Sequence, residues 1–439
     1  MPEKCKYKQV YYDITSDEPK FYECEEDAVK DGYCVFHHPE YWKEHKEEVR
    51  KKFMEKVEDA INNKKPLICI GYNLPEVYLF RKTFEAPVYF TKTIFYEEAR
   101  FGNAKFSGAI FSGATFSSSA DFIEATFSSW ANFGKTKFSS IANFSEATFS
   151  SWADFIEAKF FGAIFSGAKF SSYVNFKNAD FEGVTTFEDL KTTNDSFIVF
   201  ESCKFKEPRL VSFRGTEIMR FLFLSTGIER VSLRNAKFDE KILKVHELLK
   251  DPKSRIEYTF DDVIETYGRL RGNLERNHRF SEAGKFFIGE MEARRTRKYY
   301  EFLREHEKSK KEGFRERLSF NLKKLYLKVY TDLISPFALY KAFSEYGESI
   351  ARPIAWSLLT ILATPILSMF LEGQTSFQSF INSYSSYLVK SIGLFAQILP
   401  VDYPPPSLIT VIEVLERLLA ILFVGLELMA LKRRLERHR

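Results

Sequence analysis

A phenylalanine returns every five or six residues from Phe84 to Phe187. Twenty of them are joined by nineteen gaps, eleven of five residues and eight of six. A 3.6-residue helix does not produce this beat, and neither does a long strand of period two. In fourteen of the twenty cases an alanine stands two residues earlier, as in Ala104-Lys105-Phe106 and Ala158-Lys159-Phe160. In extended backbone, positions i and i−2 point to the same side. Alanine and phenylalanine therefore point inward together, while Ser, Gly, Lys and Glu between them point out. A small residue beside a large one lets a narrow interior close without voids.

The units Ala120-Asp121-Phe122-Ile123-Glu124 and Ala153-Asp154-Phe155-Ile156-Glu157 resemble the pentapeptide-repeat family, whose unit reads roughly A-[DN]-[LF]-x-x. The resemblance implies a right-handed quadrilateral β-helix with one repeat per side. Twenty sides make about five coils, a rod of about 24 Å. Weaker matches at Phe200, Phe205, Phe213 and Phe238 extend it toward two more coils. Each extra residue of a six-residue gap is expected to bulge at a corner. Some family members mimic DNA, which takes a strongly acidic surface. Residues 101–181 hold six acidic and six basic residues, so the rod is neutral. That counts against DNA mimicry and leaves no basic groove for nucleic acid.

Three of the five cysteines lie in residues 1–83. Cys5 and Cys24 precede Cys34-Val35-Phe36-His37, the ligand set of a closed, tetrahedral Cys3His zinc site. The expected ligands are Cys5, Cys24, Cys34 and His37, with His38 as an alternative to His37. The competing reading is three reduced thiols in small apolar patches. Tyr33-Cys34-Val35-Phe36-His37-His38-Pro39-Glu40 is similar to a short Cys/His module found ahead of such repeats. With four protein ligands, one Zn2+ here would be structural. The first twenty residues carry charges and no apolar run, so no secretory leader is expected. Few, irregularly spaced cysteines fit a reducing compartment. Residues 40–63 carry an apolar stripe at Trp42, Val49, Phe53, Val57 and Ile61, which predicts an amphipathic helix. Leu67 to Gly71 reads as a strand leading into the first coil, with Cys69 in its core.

Periodicity changes near Phe238. Residues 240–250 and 256–307 read as helices rich in Lys, Arg and Glu. The run from Tyr267 to Met291 resembles one tetratricopeptide-like hairpin. A lone hairpin makes no solenoid, so it is expected to cover the open end of the β-helix. With Ser344-Glu345-Tyr346-Gly347-Glu348, this block resembles the connector between pentapeptide repeats and a two-helix membrane domain in prokaryotic membrane proteins.

Residues 353–371 contain no charge. Nineteen residues at ~1.5 Å each cover about 28 Å, enough for a bilayer core. A second apolar stretch, 408–431, carries Glu413, Glu416, Arg417 and Glu427. At ~100° per residue these four fall within a ~100° arc, so one stripe avoids lipid while the rest faces it. Glu413 and Arg417, four apart, are expected to pair. Residues 285–352 hold sixteen Lys/Arg and 432–439 hold five, whereas 372–407 holds one. Basic flanks stay inside, so both flanks are placed in the cytoplasm and the loop outside.

Between the two stretches, Phe377, Ile381, Tyr384, Leu388, Ile392 and Phe395 recur at helical spacing. Helix, re-entrant-type helix, helix resembles the plan of two-transmembrane cation channels. A potassium filter takes two glycines in a Thr-Val-Gly-Tyr-Gly run. Ser391-Ile392-Gly393-Leu394-Phe395 offers one.

The chain thus reads as a multidomain β + α membrane protein with four parts. These are a Cys/His module and helix (1–83), a pentapeptide-repeat β-helix (84–238), a basic helical connector (239–349) and a two-helix transmembrane domain (350–439). It is expected in a prokaryotic cell membrane, multi-pass, with both termini cytoplasmic. No nucleophile elbow, phosphate loop or His-Glu-x-x-His run is present, so an enzyme is not expected. The function expected is a membrane-anchored scaffold or sensor whose rod binds an unidentified protein. The alternative is a channel-like homo-oligomer with a degenerate, non-potassium-selective pore. Expected partners are the lipid bilayer, that protein and a second copy, with no nucleic acid.

Overall fold

A computed structural model describes residues 3–218, 221–238, 246, 249–250, 258–307, 314–373, 377–397 and 408–437. The chain divides into two compact units, residues 1–247 with 261–276, and residues 248–260 with 277–439. The expected helices at 240–250 fall almost wholly outside the described residues.

The first unit is a four-sided β-solenoid of about eight turns. Its longest ladder stacks eight short parallel strands, from Leu67–Ile68 through Ala109–Ile110 and Ala153–Asp154 to Phe221–Leu224. The ladders begin at Leu67, one coil ahead of Phe84, and continue past the last regular Phe. The rod is therefore longer than the five regular coils that the Phe count implies, at about 38 Å for eight turns. Like residues stack in register, Phe84 on Phe106 on Phe127 and Ala109 on Ala131 on Ala153. The phenylalanine rings form continuous inner columns. Phe101, Phe122, Phe144 and Phe165 stack with centroids 4.7, 4.8 and 4.9 Å apart. The alanines beside them are fully buried.

The two gap lengths have a structural meaning. Phe106–Phe111 and Phe160–Phe165 apart, the five-residue steps, such as Phe101–Phe106, turn through a left-handed residue. Those residues are Lys92, Asn103, Gly113, Glu124, Lys135, Glu146, Glu157, Gly167 and Asn178, at φ between 55° and 69°. Each is the third residue of a turn closed by a backbone bond, as from Ala104 N to Phe101 O at 3.0 Å. A non-glycine residue gives up about 1–2 kcal/mol in this conformation. The turn bond and the buried ring that follows offset it. The Asp or Asn of the repeat unit serves the same corner: Asp121, Asn132, Asn143, Asp154 and Asn175 each accept a bond from the backbone N–H two residues on. Every six-residue gap falls on the alternate corners, which have no left-handed residue. Where the six-residue step from Phe138 lies against the five-residue step from Phe160, the ladder register shifts between Phe138 and Ile141. That is the bulge expected of an inserted residue.

Ahead of the solenoid, strands β1 (Lys8–Asp13) and β2 (Glu18–Glu23) form an antiparallel hairpin. The expected single helix over 40–63 is two, α1 (Tyr41–Glu44) and α2 (Lys46–Asn62), broken at His45. Val49, Phe53, Val57 and Ala60 are the buried face of α2. At the far end, α3 (Phe260–Arg276) lies on the last coil. Asn273 Nδ2 donates to the carbonyls of Ile228 and Val231 at 2.6 and 3.0 Å, and Arg269 pairs with Glu229 at 3.0 Å. These bonds occupy carbonyls that a terminal coil leaves without partners.

The second unit is helical: α4 (Phe280–Glu307), α5 (Phe314–Val329), α6 (Pro336–Ser344), α7 (Ala351–Leu371), α8 (Phe377–Phe395) and α9 (Leu408–Arg437). The expected hairpin of helices α3 and α4 is thus divided between the two units. After α6, Glu345, Tyr346 and Gly347 are successive left-handed residues. They fold Tyr346 into the interior, where its hydroxyl donates to Glu292 at 2.7 Å. Lys341 and Arg295 also pair with Glu292, at 2.8 and 2.9 Å. Burial alone would raise the Glu292 carboxyl, but these three donors outweigh it and hold it at about 2.

Candidate metal centre and the polar face of the C-terminal helices

Cys5 and Cys24 stand nineteen residues apart, yet the β1–β2 hairpin brings them together. Lys8 lies opposite Glu23, and Cys24 N donates to Tyr7 O at 3.1 Å, so the chain enters and leaves the hairpin side by side. The turn at Cys34–His38 supplies the other two groups. Bonds from His37 N and His38 N to Cys34 O, at 3.1 and 3.0 Å, fold it. Cys5, Cys24, Cys34 and His37 are all buried, with their ligand atoms within 4.8 Å of one another. This cluster could hold a metal ion.

The distances fit a small tetrahedral ion. Cys24 and Cys34 sulfurs are 3.8 Å apart, and His37 Nδ1 lies 3.5 Å from Cys5 and 3.2 Å from Cys34. With bonds of ~2.3 Å to sulfur and ~2.0 Å to nitrogen, the edges of a zinc tetrahedron are about 3.8 and 3.5 Å. The ring's other nitrogen, Nε2, lies 2.9 Å from the Ile70 carbonyl. A carbonyl only accepts, so the proton sits on Nε2 and the Nδ1 lone pair faces the thiols. Tyr7 stacks on the His37 ring at 3.9 Å and fixes its plane. Backbone N–H groups of Tyr7, Glu26 and Phe36, each two residues past a cysteine, bond Cys5, Cys24 and Cys34. Such donors stabilise thiolate. The hydrogen bond that Cys24 and Cys34 share lowers the Cys24 thiol and raises that of Cys34, while burial pushes up the Cys5 thiol.

His38 is engaged elsewhere. Its Nε2 lies 3.2 Å from Asp31 and its Nδ1 accepts from Glu40 N at 3.2 Å. Of the two histidines, His37 is therefore the one in the cluster. Cys69 and Cys203 are buried in the solenoid away from it, and burial raises both thiols, Cys203 to about 12.

In the second unit, α7 alone among the described residues is both long and apolar enough to cross a membrane. Helix α9 has the length, but its ionisable residues set it apart from α7, so the expected pair of apolar spans is reduced to one by this measure. Three of the four residues expected to avoid lipid meet neighbouring helices. Glu413 pairs with Lys390 of α8 at 2.6 Å, not with Arg417. Glu416 takes a hydrogen bond from Ser391 of α8, and Ser357 of α7 donates to Glu427 at 3.2 Å. Arg417 is only partly buried, with its Nε making no hydrogen bond. Apolar side chains take the outside: Leu358 is 56% exposed and Phe370 68%, against 1% for Glu416. Ser391 to Phe395 are part of α8. They form its last turn, closed by bonds from Ala396 N to Ile392 O and Gln397 N to Leu394 O at 2.9 and 3.0 Å, and a potassium filter is instead a non-helical run whose carbonyls line the pore.

A family model described as pentapeptide repeats, nine copies long, matches residues 101–148 and again 111–159. This part of the chain is a run of pentapeptide repeats folded as a β-solenoid. No curated protein and no solved structure matches the chain.

Proposed function

We propose that this chain is a non-enzymatic, membrane-anchored scaffold. The pentapeptide-repeat solenoid stands in the cytoplasm and binds a protein partner, and the helices α7 and α9 hold it at the bilayer as two spans with α8 between them. The observation that carries this reading is the inverted polarity of the α7–α8–α9 cluster. Apolar side chains such as Leu358, Phe370 and Leu418 face outward, while Glu413 and Glu416 are buried. In water this arrangement is unfavourable twice over, since it exposes hydrocarbon and buries charge-bearing groups. In a bilayer both terms reverse. The basic connector and tail place both flanks on the cytoplasmic side. The test is alkaline carbonate washing of membranes from cells that make the full chain. Retention in the membrane pellet supports the anchor, and release into the wash refutes it.

The cofactor proposed is one Zn2+ bound by Cys5, Cys24, Cys34 and His37. Three buried thiols and a histidine nitrogen are soft, borderline ligands that suit this ion, and the edges match its tetrahedron. All four positions are filled by protein, so the ion folds the module and takes no part in chemistry. Elemental analysis of untagged protein should find about one zinc per chain, and Cys34→Ser should lose it. Less than a tenth of an equivalent in the parent chain refutes the assignment.

A further inference from the structure

One carboxyl on the inner face of α9 has hydrogen bonds that do not close unless it carries a proton. Ser391 Oγ lies 3.1 Å from the Ile361 carbonyl and is also hydrogen-bonded to Glu416 Oε1. A serine hydroxyl has one hydrogen and cannot donate to both. The Ile361 carbonyl needs that hydrogen. Its helical partner would be the N–H of residue 365, four positions on, and that residue is Pro365, which has none.

If Glu416 were ionised, it would claim the serine hydrogen and leave the Ile361 carbonyl without a partner. Its other oxygen, Oε2, already makes no hydrogen bond, in a side chain only 1% exposed. A bare, buried carboxylate oxygen is among the least tolerable groups in a protein interior.

No neighbouring cation relieves it. Lys390 of α8 is engaged with Glu413 at 2.6 Å. Arg417 is the next residue on α9, about 100° round the helix. Tyr387 of α8 is bonded to Glu372 at the end of α7, and Thr364 of α7 gives its hydrogen to the Thr360 carbonyl at 2.8 Å. Glu413, on the same face one turn away, adds only negative charge.

We propose that Glu416 is a proton-binding site: its carboxylic acid donates to Ser391 Oγ, and Ser391 donates to the Ile361 carbonyl freed by Pro365. The single hydrogen-bonded chain ties α9 to α8 and α8 to α7. The serine hydroxyl and the Ile361 carbonyl are then both satisfied, and Glu416 Oε2 is left as a neutral carbonyl oxygen in place of a charged one. Loss of the proton turns the serine hydrogen toward Glu416 and breaks the link to α7. The burial is by these three helices themselves, so the inference stands independently of the membrane anchor.

Infrared spectroscopy of the full chain purified in detergent tests it. At pH 7 ordinary carboxyls are ionised, so a carboxylic-acid carbonyl band at that pH reports a buried acid. The parent protein should show this band. Glu416→Gln should lose it, while Glu413→Gln and Glu427→Gln keep it. A parent spectrum with no acid band at pH 7 overturns the proposal, whatever the fate of the variants. So does an acid band that survives Glu416→Gln.

Discussion

Phe144→Ala removes one rung from an inner column and should destabilise the solenoid sharply. The Phe144 ring is fully buried, stacked between Phe122 and Phe165 at 4.8 and 4.9 Å, and meets Phe133 and Phe155 edge-on at 5.3 and 5.8 Å. The coils above and below are held apart by ladder bonds such as Phe144 N to Ile164 O at 2.6 Å and Phe122 N to Asn143 O at 2.7 Å, so they cannot collapse into the space. Phe→Ala in a rigid core costs about 3–5 kcal/mol. This site belongs at the upper end, because each aromatic pair adds about 0.5–1.5 kcal/mol beyond area. The control is Phe161→Ala. Phe161 lies at an alternate corner and is 57% exposed, so its loss should stay within about 0.5 kcal/mol. Thermal unfolding followed by the solenoid's β-sheet circular dichroism is the assay. A drop of about 6–20 °C is expected for Phe144→Ala from ~2–4 °C per kcal/mol. Equal shifts for the two variants would mean that Phe144 is not a core residue.

Three further outcomes follow from particular residues. Glu292→Gln should weaken the second unit at neutral pH. Because the native carboxyl is depressed from 4.5 to about 2, its contribution is present above 4.5 and lost as pH falls through about 2, so the gap between parent and variant in thermal unfolding should close over that window. A cysteine introduced at Ser383 should react with an impermeant thiol reagent in intact cells, whereas one at Ser281 should not; the opposite pattern would invert the orientation. Chelation of zinc should loosen the β1–β2 hairpin, read as faster proteolysis at the hairpin while the solenoid core stays protected.

The Phe beat was legible because side-chain direction in a solenoid is set locally: Ala and Phe two apart share a face wherever the backbone is extended. The rod's true start was hidden because its first coil carries Cys69, Leu74 and Leu79 where the next coil has Phe90, Phe95 and Phe101. The later coils were blurred by longer loops, as between Thr192 and Phe197. The alternation of corners was present in the gap lengths, but only the left-handed residues reveal which corner each length serves. In the Cys3His cluster, Cys34 and His37 were readable as a local pair. Cys5 and Cys24 required the hairpin, whose strands lack the alternating apolar pattern of a buried sheet: Val10 and Phe21 both face solvent. On α9 the helical wheel gathers Glu413, Glu416 and Glu427 on one side, and the partners of these three come from α7 and α8. The partner of Glu413 was misread, because Lys390 comes from another helix and spacing within α9 says nothing about it.

In the proposed anchor the C-terminal helices meet lipid with their apolar faces and hide their polar ones. Nitroxide labels placed singly at Leu358, Phe370, Leu418 and Ala420 of the full chain, reconstituted in vesicles, test it directly. Leu358, Phe370 and Leu418 should collide more with dissolved oxygen than with a water-soluble nickel chelate, and the buried Ala420 should be shielded from both. Stronger collision with the nickel chelate at Leu358, Phe370 and Leu418 would place these faces in water and rule out the anchor.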